Sequence, residues 1–151
     1  MASISVQETD FDIAAEIATL KGDRTDMGAI VTFTGTVRDI AGDLQAMTLE
    51  HYPGMTEKEI ARVAEEAEKR WSLVECRVIH RYGKLLPGDN IVLVITMSAH
   101  RHAAFEAADF LMDFLKSRAP FWKLEETNKG GQWVDAKESD ADALKRWEQL
   151  Q

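Results

Sequence analysis

The sequence predicts an α+β fold: a single domain in which helices pack on a mixed or antiparallel sheet. Three observations predict it. Three stretches carry apolar residues at helical spacing, and they alternate with runs rich in Val, Ile, Thr and Phe. Turn-forming Gly, Pro and Asn clusters separate the runs, as they do in hairpins. One run, residues 91–99, is almost continuously apolar, which suits a central strand buried on both faces. A length of 151 residues is enough for one domain with a real core.

Residues 3–8 alternate apolar and polar and predict a first strand. Asp10 suits the cap of a helix that carries Ile13, Ala14, Ile17 and Leu20 on one stripe, with Gly22 just past its end. Residues 27–37 predict a strand. Gly28 opens it and Gly35 interrupts it, a pattern that marks a bulge or a close backbone approach. Residues 44–52 predict a second strand, paired with the first as a hairpin across Gly42-Asp43. Thr56 and Glu59 fit a capping box for a helix reaching Trp71, with Ile60, Val63, Ala64 and Ala67 buried.

Residues 74–82 and 91–99 follow as strands around a Pro87-Gly88-Asp89 turn. A helix over residues 101–118 has Ala104, Ala108, Leu111 and Leu115 as its core stripe, broadened by Phe105 and Met112. Short strands at 121–126 and 132–135 flank the turn Asn128-Lys129-Gly130-Gly131. The domain is expected to span residues 1–136. Residues 137–151 form a tail with a short helix capped by Ser139 or Asp140 and carrying Leu144 and Trp147. The element order is ferredoxin-like in flavour, but fold alone assigns no function.

Acidic side chains outnumber basic ones 26 to 18, and the net charge of −8 argues against nucleic-acid or anionic-membrane binding. A local basic pocket for a small anion remains compatible with that balance. Cys76 is the only cysteine, so no internal disulfide can form and a reducing cytoplasm is the expected setting. Within its strand Cys76 reads as a small buried hydrophobe. No apolar run reaches the roughly 18 residues of a membrane span, and the N-terminus has no basic-then-apolar pattern. The four histidines lack zinc-site spacing, so no metal is expected. Phosphate-binding Gly-rich loops and serine-hydrolase elbows are absent as well.

A basic set remains in this acidic chain. Lys116 and Lys123 flank Pro120, where a helical pattern breaks into a strand, among Phe114, Leu115, Phe121 and Trp122. His100-Arg101-His102 opens the third helix, where free N–H groups and the helix dipole favour an anion. Arg38 ends a strand, and its guanidinium suits phosphate or carboxylate. Each also has a plain reading. Lys116 complements a helix C-terminus, Lys123 and Arg101 are solvated, and Arg38 pairs with Asp39, as the His80-Arg81 pair could with other acids. If the fold gathers Arg38, His100, Arg101, Lys116 and Lys123, the pocket would take a small phosphorylated anion.

The same residues carry a resemblance. Gly28-Ala-Ile-Val-Thr-Phe-Thr-Gly-Thr-Val-Arg38, Leu49-Glu-His-Tyr-Pro-Gly-Met55, Glu66-Ala-Glu-Lys-Arg-Trp71 and His80-Arg-Tyr-Gly-Lys-Leu85 resemble the large, catalytic subunit family of molybdopterin synthase. So do Ser98-Ala-His-Arg-His-Ala-Ala-Phe105 and Asp113-Phe-Leu-Lys-Ser-Arg-Ala-Pro-Phe-Trp-Lys-Leu-Glu125, all in family order over residues 28–134. The resemblance implies an α/β-hammerhead-like fold. It implies insertion of two sulfurs into cyclic pyranopterin monophosphate, delivered as the C-terminal thiocarboxylate of a small ubiquitin-like sulfur-carrier subunit, with no resident cofactor. It implies a homodimer of large subunits within a heterotetramer, one side of the pocket being open to contribution from the neighbouring large subunit. By that resemblance Lys116 and Lys123 are catalytic, and Arg38, His100, Arg101 and Glu125 bind substrate. Two other readings stand beside it: a non-catalytic module that captures the tail of a ubiquitin-like partner, and a sensor of a phosphorylated ligand.

Overall fold

The computed structural model describes residues 2–39, 42–127, 130–134 and 138–149. The strands are β1 (Ser3–Gln7), β2 (Ala29–Thr36), β3 (Leu44–His51), β4 (Glu75–Arg81), β5 (Gly83–Leu85), β6 (Asn90–Ser98), β7 (Phe121–Thr127) and β8 (Gly130–Val134). The helices are α1 (Ile13–Lys21), α2 (Met55–Trp71), α3 (Arg101–Ser117) and α4 (Glu138–Gln149). The α+β prediction holds, with the strands divided between two sheets. The first has the order β1-β4-β6-β2 and the second β5-β3-β7-β8. The first sheet is mixed, because β1 joins β4 in parallel while β4 and β2 flank β6 antiparallel.

The run at 91–99 behaves as its composition requires. On one face of β6, Val92 and Val94 meet α2 and α3. On the other, Leu93, Ile95 and Met97 meet Phe11, Ile13, Ile17 and Leu20 of the α1 region. Each fully buried Leu or Ile there contributes about 1.5–3 kcal/mol. A third cluster, Val37, Met47, Leu49 and Leu85, fills the space where the two sheets meet.

Several local expectations change. Strands β2 and β3 do not form a hairpin: β2 pairs with β6, and β3 pairs with β5 and β7. A buried strand needs a partner along each hydrogen-bonding edge, and β6 has β4 on one and β2 on the other, so the chain after Val37 crosses to the second sheet. The short β5 was not foreseen. Helix α1 is capped by Asp12, whose carboxylate accepts from the Ala15 N–H at 3.0 Å; Asp10 instead accepts from Asn90. Helix α2 starts after Gly54, whose N–H donates to Glu57 at 2.6 Å, so Thr56 lies inside the first turn and is not its cap. Arg81 donates to the carbonyl oxygens of Glu8 and Asn90 rather than to acids. Asn128 and Lys129 of the foreseen turn lie outside the described residues. Ser139 and Asp140 fall within α4 rather than ahead of it. That helix packs Leu144 and Trp147 into the α2–α3 core, and the Trp147 indole donates to Asp113 at 2.6 Å.

Both strand glycines have their reason. A Cβ on Gly28 would sit 2.3 Å from the Ala99 carbonyl oxygen, and one on Gly35 would meet Val92 at 2.8 Å beside a register shift at Gly35/Thr36. At the junction of the sheets, His80 of β4 stacks on Phe121 with centroids 3.8 Å apart, and its Nδ1 lies 2.9 Å from the Arg81 carbonyl. His51 lies 4.3 Å from the Tyr82 ring. Burial, with the nearby Lys116 and His51 adding to it against the pull of the Arg81 carbonyl, pushes the His80 imidazole down to about 4.

Two predictions follow from the packing. Gly28→Ala should lower stability by about 2–3 kcal/mol, read as a lower urea midpoint at constant slope, because a backbone carbonyl cannot step aside; an unchanged midpoint would show that the strand end relaxes freely. His80 is neutral in the folded protein down to about pH 4 but titrates near 6.5 when unfolded. Between those values the unfolded chain gains a proton that the folded chain does not. The stability present above pH 6.5 is therefore lost on acidification to pH 4, by about 3 kcal/mol. His80→Phe should remove that part of the pH dependence in parallel urea titrations; superimposable slopes would contradict a neutral buried His80.

Candidate functional site around the turn at Pro120

Helix α3 starts where β6 ends and runs back over the sheet. Near its start, the Thr96 hydroxyl donates to the Ala104 carbonyl at 2.7 Å; near its end, Lys116 comes close enough to influence His80, which pairs with Val92. A helix of 17 residues spans about 25 Å. A strand of nine residues spans about 30 Å. The two ends of α3 therefore lie at opposite ends of the first sheet.

Lys116 occupies the last turn of α3 and is exposed. Pro120 breaks the helix, and β7 begins at once. Phe121, Lys123 and Glu125 share one face of β7, opposite His51, Leu49 and Met47 of β3. The Lys123 ammonium lies 3.8 Å from the Glu125 carboxylate, both side chains about one-third exposed (36% each). Arg38 follows Val37, which packs against Met47 and Leu49, the β3 partners of Glu125 and Lys123. Val37 also exchanges main-chain hydrogen bonds with Asp89 and Gly88, just ahead of β6. Asp39 is engaged elsewhere, accepting from the Leu44 N–H at 3.0 Å. Arg38, Lys116, Lys123 and Glu125 thus belong to one end of the molecule.

His100 and Arg101 belong to the other end. His100 is the extended residue before α3, its N–H 3.4 Å from the Ser98 hydroxyl, and Arg101 opens the helix. The first turn contains no acidic residue, and the His100 side chain makes no capping bond, so neither competes with an anion for the N–H groups there. One copy of the chain gathers four of the six predicted residues and sets the other two a sheet's length away.

Among the described residues no group of three His, Cys, Asp or Glu could hold a metal. Cys76 is fully buried, and burial, reinforced by the Glu68 charge, pushes its thiol up to about 12. It is no thiolate at neutral pH and cannot act as a sulfur nucleophile.

Two contributors escaped the sequence reading. Thr56 is fully buried, and its hydroxyl accepts from the Tyr52 N–H at 3.0 Å and donates to the Pro120 carbonyl at 3.1 Å. His80 supports Phe121 from beneath. The available signal for Thr56 was its place four residues before Ile60, on the apolar stripe of α2, where a hydroxyl needs partners.

Comparison with known proteins identifies the family and the fold. The family model described as MoaE protein matches residues 6–118. The molybdopterin synthase catalytic subunit of Mesorhizobium japonicum is 60% identical over 147 residues, covering 96% of this chain and 92% of that one. The protein of the same name from Escherichia coli is 53% identical, covering 95% and 97%. Among solved structures, the molybdopterin biosynthesis MoaE protein from Burkholderia ambifaria superposes with a TM-score of 0.85 at 49% identity, covering 98% of this chain and 99% of that one. Molybdopterin synthase from Staphylococcus aureus gives 0.79 at 27% identity, covering 86% and 95%. With the family model matching residues 6–118 and a relative 60% identical over 96% of this chain, the chain belongs to the MoaE protein family.

Proposed function

We propose that this chain is the catalytic, sulfur-transferring subunit of molybdopterin synthase, acting in molybdenum cofactor biosynthesis. The observation that carries the reading is the nearly full-length match to relatives of that name. Its substrate is cyclic pyranopterin monophosphate, and its sulfur comes from the C-terminal thiocarboxylate of a small ubiquitin-like subunit, so no resident cofactor is needed. A core thiol that stays protonated fits a reaction whose sulfur is brought by a partner. No helix among the described residues is long and apolar enough to cross a membrane. With a single reduced cysteine, the cytoplasm is the natural compartment.

In this reading Arg38, His100 and Arg101 hold the phosphate and pterin, the guanidinium forks pairing with phosphate oxygens. Lys116 and Lys123 polarise the thiocarboxylate carbonyl and move protons as sulfur attacks and the cyclic phosphate opens. Glu125 gives Lys123 a local counter-charge and borders the substrate.

The separation of His100 and Arg101 from the lysines supports a site shared by two copies. Strand β2 is an edge of the first sheet and carries no charge to deter pairing. Its own Ile30 and Phe33 are exposed, as is Phe105 of α3, by 60%. Arg101, Phe105, Asp109, Met112 and Lys116 follow one another along one stripe of α3. A two-fold axis near the middle of that stripe would exchange its ends, carrying His100 and Arg101 of one copy to Arg38, Lys116 and Lys123 of the other. The assembly is then a dimer of large subunits with a small subunit on each, a heterotetramer.

Lys123→Ala should reduce dithiolene formation from thiocarboxylated partner and cyclic pterin by about 10²-fold or more while partner binding persists. Undiminished turnover would refute the catalytic assignment, and binding without product in the wild type would leave the chain a tail-binding module. A shared site also predicts complementation. Lys123→Ala and Arg101→Ala proteins, each inactive alone, should regain about one quarter of wild-type activity after subunit exchange, since half of the dimers are mixed and each has one intact site. No recovery in verified mixed dimers would place all these residues in one subunit.

A further inference from the structure

We propose that Thr56 is a positioning residue for sulfur transfer: its hydroxyl ties the start of α2 to Pro120 and so fixes the turn that sets Lys116 against Lys123. The inference rests on the reading of those lysines as the reactive pair.

The turn satisfies its own N–H groups. The Arg118 and Ala119 N–H groups both donate to the Phe114 carbonyl, at 2.8 and 3.2 Å, and the Phe121 N–H donates to the Ala119 carbonyl at 2.8 Å. Pro120 has no N–H to offer. Its carbonyl is where the main chain of the turn is held from outside, by Thr56, 64 residues away in sequence; the Arg118–Glu148 ion pair at 2.7 Å adds only an exposed side-chain contact. The same hydroxyl accepts from the Tyr52 N–H, so one oxygen links the end of β3, the first turn of α2 and the turn before β7. Full burial makes the link exacting, because water cannot replace a lost partner. The next residue, Phe121, is clamped from the other side by the His80 ring at an interplanar angle of 20°. Lys123 lies two residues further along the same face of β7, so any rotation of the turn is passed to its side chain. Small misplacements of a catalytic group cost up to about 10²-fold in rate.

Valine keeps the shape of threonine and removes both bonds; serine keeps the hydroxyl. In the assembled synthase, with full-length chain, thiocarboxylated partner and cyclic pterin, Thr56→Val should lower kcat about 10- to 100-fold with KM for the pterin within about twofold. Thr56→Ser should retain at least about half of the wild-type kcat, since its hydroxyl can make the same bonds. Undiminished kcat in Thr56→Val, a loss confined to KM, or equal impairment in Thr56→Ser overturns the proposal. Should Thr56→Val fail to fold, Phe121→Leu loosens the same turn from the His80 side. It should show the same loss in kcat alone, restored by Phe121→Tyr, and a preserved kcat overturns the proposal equally. Lys123→Ala in the same assay separates the two levels. If it turns over normally, the lysine reading fails; if it is inactive while Thr56→Val is unimpaired, the positioning role alone fails.

Discussion

Strand β6 fixes the geometry on which the rest of the molecule depends. With both faces covered by apolar side chains it cannot bend, shift register or shorten without exposing one of them. Its two ends are therefore held a constant distance apart. One leads into the helix that starts with Arg101, and the other receives Arg38 through the Val37–Asp89 contact. A reaction needing cations from both ends must bring a second molecule, and the uncharged edge strand beside β6 is where such a molecule would meet least resistance.

The turn at Pro120 solves a different problem. A helix end and a strand start have unrelated directions, and a lysine on each would wander independently on its flexible stem. Joining them through three residues, Arg118, Ala119 and Pro120, gives the two side chains a common base. Buried groups from α2 and β4 grip that base, so its position is inherited from the rigid core rather than from the surface. Burial of His80 serves the same end: a ring that stays neutral beside Lys116 can pack against Phe121 without adding a repelling charge.

Much of this was legible in the sequence. Helices α2 and α3 and strand β6 announced themselves because their periodicity is local and strong, and Gly28 and Gly35 marked a real close approach and a real irregularity. The error lay in strand partnership. Whether β2 pairs with β3 or with β6 depends on which faces are buried far along the chain, and no property of residues 27–52 encodes it. The cap of α1 was misread by two residues, from Asp12 to Asp10, because either aspartate has suitable chemistry. As for the site, composition and spacing picked out basic residues but could not show that they converge; the family resemblance singled them out. Thr56 and His80 stand out in the sequence as a helix cap and half of a strand-end pair, and their role in holding the turn is hidden for a physical reason. They have no reactive exposure, and their importance lies in partners more than sixty and about forty residues distant.

The partnership of β2 with β6 has a consequence for how the chain comes off the ribosome. Sixty-seven positions separate Ile30 from the β6 residue it pairs with, Met97, and 74 separate Leu49 of β3 from Lys123 of β7. While they are being made, both strands lack the neighbours that will cover them, and β2 is the more apolar of the pair. The first sheet cannot close until β6 has emerged, and the second cannot close until the segment after α3 has. The molecule should therefore commit to its structure late and nearly at once, with its stickiest edge exposed for most of its synthesis. The edge proposed for assembly of the finished protein is also the one most in need of protection during its birth.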